Sequence, residues 1–379
     1  MNDARIAILG GYGAVGSVAT RLLAQTVPGA ALRIGGRDPS RARALVAREL
    51  GDSIGQATMV DVWDDAGLAR FCAGANVVVN CAGPSYRVLE RVALAALDAG
   101  AHYVDAGGDE PVFGALSGRD LGDRVAVLSA GMMPGLTGLL PRWLARQGFG
   151  TCARLTAHVG TMDRMTPAGA AEYLLSLGGV YGEAQAAWRN GARALRALNP
   201  VTDTELPFFP GRVDAYPYLS FESERTVRAL GVADADWFTV YDGGSHVMNS
   251  LSRLQGAISG QSDPATAAAE LTRAAALDLF GRDPYQLMVF ELAGTIGGQP
   301  LTRTLVLRGS DTYELTGLMT AMSATAILAG RIPRGTHFAA EALAADEVVD
   351  ELRRLKAVTM LELFDAPAAA LAAAEEGEL

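Results

Sequence analysis

The sequence predicts an α/β fold, a Rossmann-type doubly wound parallel sheet accompanied by a second, α+β domain, and three observations carry the prediction. A short apolar run, Arg5-Ile6-Ala7-Ile8-Leu9, delivers the turn Gly10-Gly11-Tyr12-Gly13-Ala14-Val15-Gly16 directly into an apolar helical pattern, Val18 to Ala24. Strand-like and helix-like segments then alternate at short spacing as far as Ala130, as right-handed βαβ units do. From about Thr151 that two-beat alternation is lost.

The first strand, turn and helix read as a dinucleotide site. Gly11 makes the tight turn, Gly13 lets the backbone approach a pyrophosphate, and Gly16 lets the helix pack on the strand. Tyr12, Ala14 and Val15 complete the loop, and the helix N-terminus offers its N–H groups to the phosphates. A second strand, Ala31–Gly36, ends in Arg37-Asp38-Pro39-Ser40-Arg41. A cation thus stands where the ribose-binding acid of an NAD site is expected. A guanidinium pairs with a 2′-phosphate through two parallel hydrogen bonds, so NADP is expected over NAD, although Asp38 offers a ribose partner.

A helix at 41–50, a strand near 57–62 and a helix at 64–73 follow, then strands at 76–80, 101–104 and 124–130 with a helix at 88–99. Ligands of open α/β sheets bind outside the carboxyl ends of the strands. Those ends carry Asp61 and Val62, expected at the adenine, and Cys81, Ala82, Gly83 and Pro84, expected along the ribose and nicotinamide. Beyond Thr151 the pattern suggests a strand at 155–159, helices at 167–177, 183–198 and 264–280, a Pro- and aromatic-rich loop at 200–218, and strands at 286–294 and 301–308. Helices are expected at 312–328 and 346–363, and no role is assigned to the Ala-rich tail.

At 379 residues with 50% hydrophobic content, two cores are affordable. The net charge of −10 with no basic block argues against nucleic acid as a partner. No apolar run approaches twenty residues and Met1 opens no charged-then-apolar leader, so a soluble cytoplasmic protein without a membrane partner is expected. Cys72, Cys81 and Cys152 are widely spaced and suggest neither disulfides nor a metal site. Lys356 is the one lysine, so Schiff-base chemistry is not expected unless it reaches the cleft.

A hydride transfer leaves the protein to position the substrate and manage one proton. Tyr86, just past Gly83-Pro84, offers a phenol that donates a proton or packs over the cofactor. Asp105, closing the strand at 101–104, offers a carboxylate that attracts an iminium or caps the turn into Gly107-Gly108. His158, on an alternating strand of the second domain, is the third catalytic candidate, with a satisfied surface imidazole as its bland alternative.

With these residues in view the chain resembles the saccharopine dehydrogenase-like reductases. The resemblance rests on Gly10 to Gly16, Gly36-Arg37-Asp38, Asn80-Cys81-Ala82-Gly83-Pro84, Asp98 to Asp105, Gly131 to Leu136, and Tyr313 to Gly330. It implies a dinucleotide-binding domain at 1–137, an inserted α+β substrate and dimerisation domain at 138–311, and C-terminal helices at 312–379 that return to the first. It also implies NADP-dependent reduction of a C=N or conjugated C=C bond in a small biosynthetic intermediate, by a homodimer. A trans-acting enoyl reductase on a carrier-bound chain and a non-catalytic NADP(H)-binding redox sensor are the alternatives.

Overall fold

A computed structural model describes residues 4–50, 54–177, 181–254 and 263–371. It divides the chain into two compact units, Met1–Leu136 with Tyr313–Val348, and Thr137–Thr312 with Val349–Leu379.

The first unit is built on a seven-stranded sheet. Its opening strand β1 (Arg5–Leu9) leads into helix α1 (Ala14–Thr26), followed by β2 (Ala31–Gly36), α2 (Pro39–Leu45), β3 (Gly55–Met59), α3 (Asp65–Cys72) and β4 (Val77–Asn80). Then come α4 (Ser85–Val88), α5 (Arg91–Asp98), β5 (His102–Asp105), α6 (Asp109–Leu116) and β6 (Val125–Leu128). A last strand, Gly335–Phe338, pairs beside β6, giving the order 335–338, β6, β5, β4, β1, β2, β3, with every pair parallel. A parallel sheet is covered on both faces, and its central strands read accordingly: Ile6, Ala7, Ile8 and Leu9 are all buried, as are Val77, Val78 and Val79. Leu68 and Phe71 of α3, Val92 and Ala96 of α5, and Val112 and Leu116 of α6 lie three or four residues apart and share one core with Val78 and Tyr103. The helix expected at 312–328 forms, and Gly317 lies where a Cβ would meet Val18 of α1 at 2.5 Å.

The second unit carries a mixed sheet with ten strands among the described residues. Its long central strand, Phe149–Met162, pairs parallel with Asp234–Asp242 and antiparallel with Tyr285–Ile296, which forms a hairpin with Gln299–Gly309. Helices Pro167–Ser176, His246–Arg253 and Pro264–Asp278 pack together through Ala170, Leu174, Leu251 and Leu271.

Three expectations in this half are corrected. Residues 183–198 form short strands, because Asn190 and Gly191 take positive φ and turn Ala187–Arg189 back on Ala192–Ala194. The segment 200–218 is largely strand, Val201–Glu205 and Arg212–Ser220. The stretch 346–363 is a helix only to Arg354, and Val358–Phe364 is a strand paired with Gln299–Gly309, so the chain end from Val349 joins the second unit rather than the first. Most of the tail after 367 lies outside the described residues.

Candidate nucleotide-binding edge

The glycine turn is shaped by what its glycines exclude. Gly10 has φ +71°, and a Cβ there would meet the carbonyl oxygen of Cys81 at 2.8 Å. A Cβ on Gly16 would lie 2.1 Å from the Gly10 oxygen and 2.7 Å from the Gly11 Cα, so α1 packs backbone to backbone on the turn. Gly13 differs from both. It is the N-cap of α1 in an extended conformation (φ −73°, ψ 179°), and its Cβ position meets only the Gly10 oxygen, at 3.1 Å. No side chain caps α1 and no acid occupies its first turn, so its leading N–H groups and positive dipole end are left for an anion.

The end of β2 is organised around Tyr12. Its hydroxyl accepts the Asp38 N–H at 2.9 Å, and the Arg41 guanidinium lies 5.0 Å from its ring centroid. Gly36 makes room for it, since a Cβ there would meet the Tyr12 hydroxyl at 2.4 Å. Asp38 caps α2, accepting from the N–H groups of Ser40 at 2.9 Å and Arg41 at 3.3 Å and from the Ser40 hydroxyl, and these bonds hold its carboxyl below the usual range. Arg37 is exposed and makes no side-chain hydrogen bond or ion pair among the described residues. Arg41, which the sequence reading did not single out, lies in the first turn of α2 beside Tyr12.

Asp61 follows β3 and accepts the Trp63 N–H at 3.0 Å, while Val62 and Ala82 pack against one common core. At the end of β4, buried Asn80 accepts the Ala82 N–H at 3.1 Å and donates to both Tyr103 and Asp105 at 3.3 Å. The Tyr103 hydroxyl donates to Asp105, which also accepts the Gly107 N–H at 2.9 Å. Burial raises the Asp105 carboxyl pKa, and burial beside that carboxylate raises Tyr103. Asp105 is 2% exposed and bonded through both oxygens; its observed contacts are those of a turn cap and network member. Burial pushes the Cys81 thiol up to about 12, so it stays protonated and makes no ready nucleophile. Gly83 is exposed, Pro84 is the N-cap of α4, and Tyr86 is half-buried within α4.

His158 lies in the second unit, on Phe149–Met162, with its ring stacked on Phe238 at 5.0 Å. Burial pulls its pKa down to about 4, leaving the imidazole neutral at pH 7. Among the described residues no cluster of acids, histidines and cysteines is built to hold a metal, and no helix is long and apolar enough to cross a membrane.

Comparison with known proteins agrees with this geometry. Residues 6–117 match the family model described as the saccharopine dehydrogenase NADP binding domain. The fold is similar to that of the L-Glu-forming saccharopine dehydrogenase of Saccharomyces cerevisiae, at 15% identity and a TM-score of 0.68 over 97% of this chain and 100% of that one. The DAP dehydrogenase of C. glutamicum, in complex with DAP, gives a TM-score of 0.46 at 16% identity over 94% of this chain and 100% of that one. No curated protein sequence matches the chain.

Proposed function

We propose that the chain is a saccharopine dehydrogenase-like, NADP-dependent reductase delivering hydride to a C=N or conjugated C=C bond of a small biosynthetic intermediate, a reading supported by the family-model match over residues 6–117 and by the fold. The observation that carries the cofactor choice is the arginine pair at the end of β2. Arg37 is exposed and unengaged among the described residues, and Arg41 is laid on Tyr12, so two guanidinium groups serve a 2′-phosphate. The nearby acid, Asp38, is turned to its own helix cap.

When bound, NADPH supplies the hydride from its nicotinamide ring. The chain's own groups hold, orient and protonate. The α1 N–H groups and the glycine turn hold the pyrophosphate. The Asn80-Tyr103-Asp105 network fixes the turn at Ala82, where the small residues Ala82 and Gly83 leave space beside the sheet edge. We assign the proton to the Tyr86 phenol rather than to Asp105, whose oxygens are already bonded. His158, neutral at pH 7, is no imidazolium donor.

The test is NADPH consumption with amines or amino acids paired with aldehydes or keto acids, set beside α,β-unsaturated thioesters. Turnover with the imine-forming pairs, and preference for NADPH over NADH, is expected. Turnover with the carrier-type thioesters alone would move the assignment to an enoyl reductase, and NADPH binding without turnover on either class would move it to a non-catalytic sensor.

A further inference from the structure

Trp63 is a large aromatic side chain left 56% exposed, and it stands at the binding edge of the sheet rather than on an arbitrary surface. β3 pairs with β2 so that Met59 lies beside Gly36, and the Val60 N–H donates to the Gly36 carbonyl at 3.1 Å. Arg37 therefore leaves β2, and the turn Asp61-Val62-Trp63 leaves β3, from adjacent strand ends. The turn is held from within: Asp61 accepts the Trp63 N–H through its side chain at 3.0 Å and the Asp64 N–H through its carbonyl at 3.1 Å. The indole is held from outside as well. The Arg91 guanidinium, at the first turn of α5, lies 5.1 Å from the ring centroid, and Arg91 is itself paired with Asp65 of α3.

A cofactor whose pyrophosphate rests on α1 and whose 2′-phosphate meets Arg37 must carry its purine past the end of β2 toward that turn. We propose that Trp63, steadied by Arg91, is the stacking platform for the adenine base, so that recognition of the base is by π-surface and the Asp61-Val62 turn acts chiefly as its rim. The inference rests on the dinucleotide reading above and adds to it two residues, Trp63 and Arg91. The physical case is that an indole presents a broad, rigid face at low entropic cost, and that base–aromatic stacking contributes a substantial part of nucleotide affinity. An Arg held over one face by Asp65 fixes the ring plane before the ligand arrives, which reduces the ordering cost of binding.

Calorimetric titration of the full chain with two probes decides the matter: 2′,5′-ADP, which carries the adenine and the 2′-phosphate, and NADPH. Trp63→Ala is expected to weaken both by about tenfold or more, Trp63→Phe to keep both within about threefold, and Arg91→Ala to fall between. A melting curve checks that the variants are folded, and the exposure of Trp63 predicts that they are. If the wild type binds 2′,5′-ADP and Trp63→Ala binds it within twofold, the pair is a surface stack and the proposal is overturned. If the wild type binds neither probe, the dinucleotide reading itself fails and the proposal falls with it.

Discussion

Replacing Gly13 by aspartate separates binding from folding more cleanly than any other change at the glycine turn. The backbone at Gly13 is ordinary extended conformation, and its Cβ position is tight only against the Gly10 oxygen, at 3.1 Å, so a side chain enters once that carbonyl gives by a few tenths of an ångström. Aspartate is also among the preferred N-cap residues, and α1 has no side-chain cap, so the helix should be slightly stabilised. The same carboxylate would stand at the phosphate site. A charge about 5 Å from each of two phosphate charges costs roughly 1 kcal/mol per pair in water and about 3 kcal/mol per pair at the effective dielectric of a protein surface. The total, about 2–6 kcal/mol, is a loss of at least about 30-fold in NADPH affinity. Gly13→Ser carries the neutral cap and isolates the charge; it should bind far better than Gly13→Asp. Gly16→Ala should do the opposite of both, since its Cβ would lie 2.1 Å from the Gly10 oxygen and the fold must give way first. Fluorescence titration with NADPH, beside thermal melts, reads all three. Gly13→Asp with unchanged melting and an NADPH affinity within threefold of wild type would refute the placement of the pyrophosphate.

Arg37→Ala should weaken NADPH by about 1.5–3 kcal/mol, the usual contribution of a charged hydrogen bond, and leave NADH nearly unchanged in parallel titrations; equal losses would make Arg37 structural. Tyr86→Phe should lower kcat by about 10²-fold or more if the phenol delivers the proton, and a loss below about threefold would remove it from that role. His158 is neutral in the fold with a pKa of about 4, whereas the unfolded chain protonates it near 6.5, so between those values the unfolded state binds more protons and stability rises with pH. Its contribution is present in full above pH 6.5 and lost as pH falls, by about 2 kcal/mol between pH 7 and pH 5. The urea midpoint of wild type should therefore fall further between pH 7 and pH 5 than that of His158→Phe, and parallel curves would contradict the burial of the imidazole.

The nucleotide half was readable because its evidence is local. A strand buried on both faces appears as an unbroken apolar run, as at Ile6 to Leu9, and the glycine turn and helix follow within a dozen residues. The second half depends on pairing between distant segments, which periodicity does not report. An Ala- and Arg-rich stretch at 183–198 has helical propensity, yet the Asn190-Gly191 pair inside it is a hairpin signal, and pairing within the sheet overrode the propensity. Val358–Phe364 is likewise a strand because Gln299–Gly309 supplies an edge whose paired residues lie 49 to 60 positions earlier in the chain.

At the site the same division holds, and it decides which side chains remain open for chemistry. Position along the chain put Arg37, Asp61, Tyr86 and Asp105 at strand ends, but only three-dimensional contacts show which are already committed. Asp61 is engaged by the Trp63 N–H, and Asp38 by the first turn of α2. Asp105 is engaged by Asn80, Tyr103 and Gly107, and the first of these is twenty-five residues away in the chain. Arg37 is the contrasting case, an exposed cation at the same edge with no such engagement among the described residues. Carboxylates at this edge are thus spent on shaping turns, whereas cations and N–H groups face outward, at α1 and at the end of β2. An edge whose acids are hydrogen-bonded within its own turns while donors face outward is suited to a polyanionic ligand. The cation at the end of β2 and the committed acids thus add to the glycine motif a second argument for a phosphate-bearing ligand.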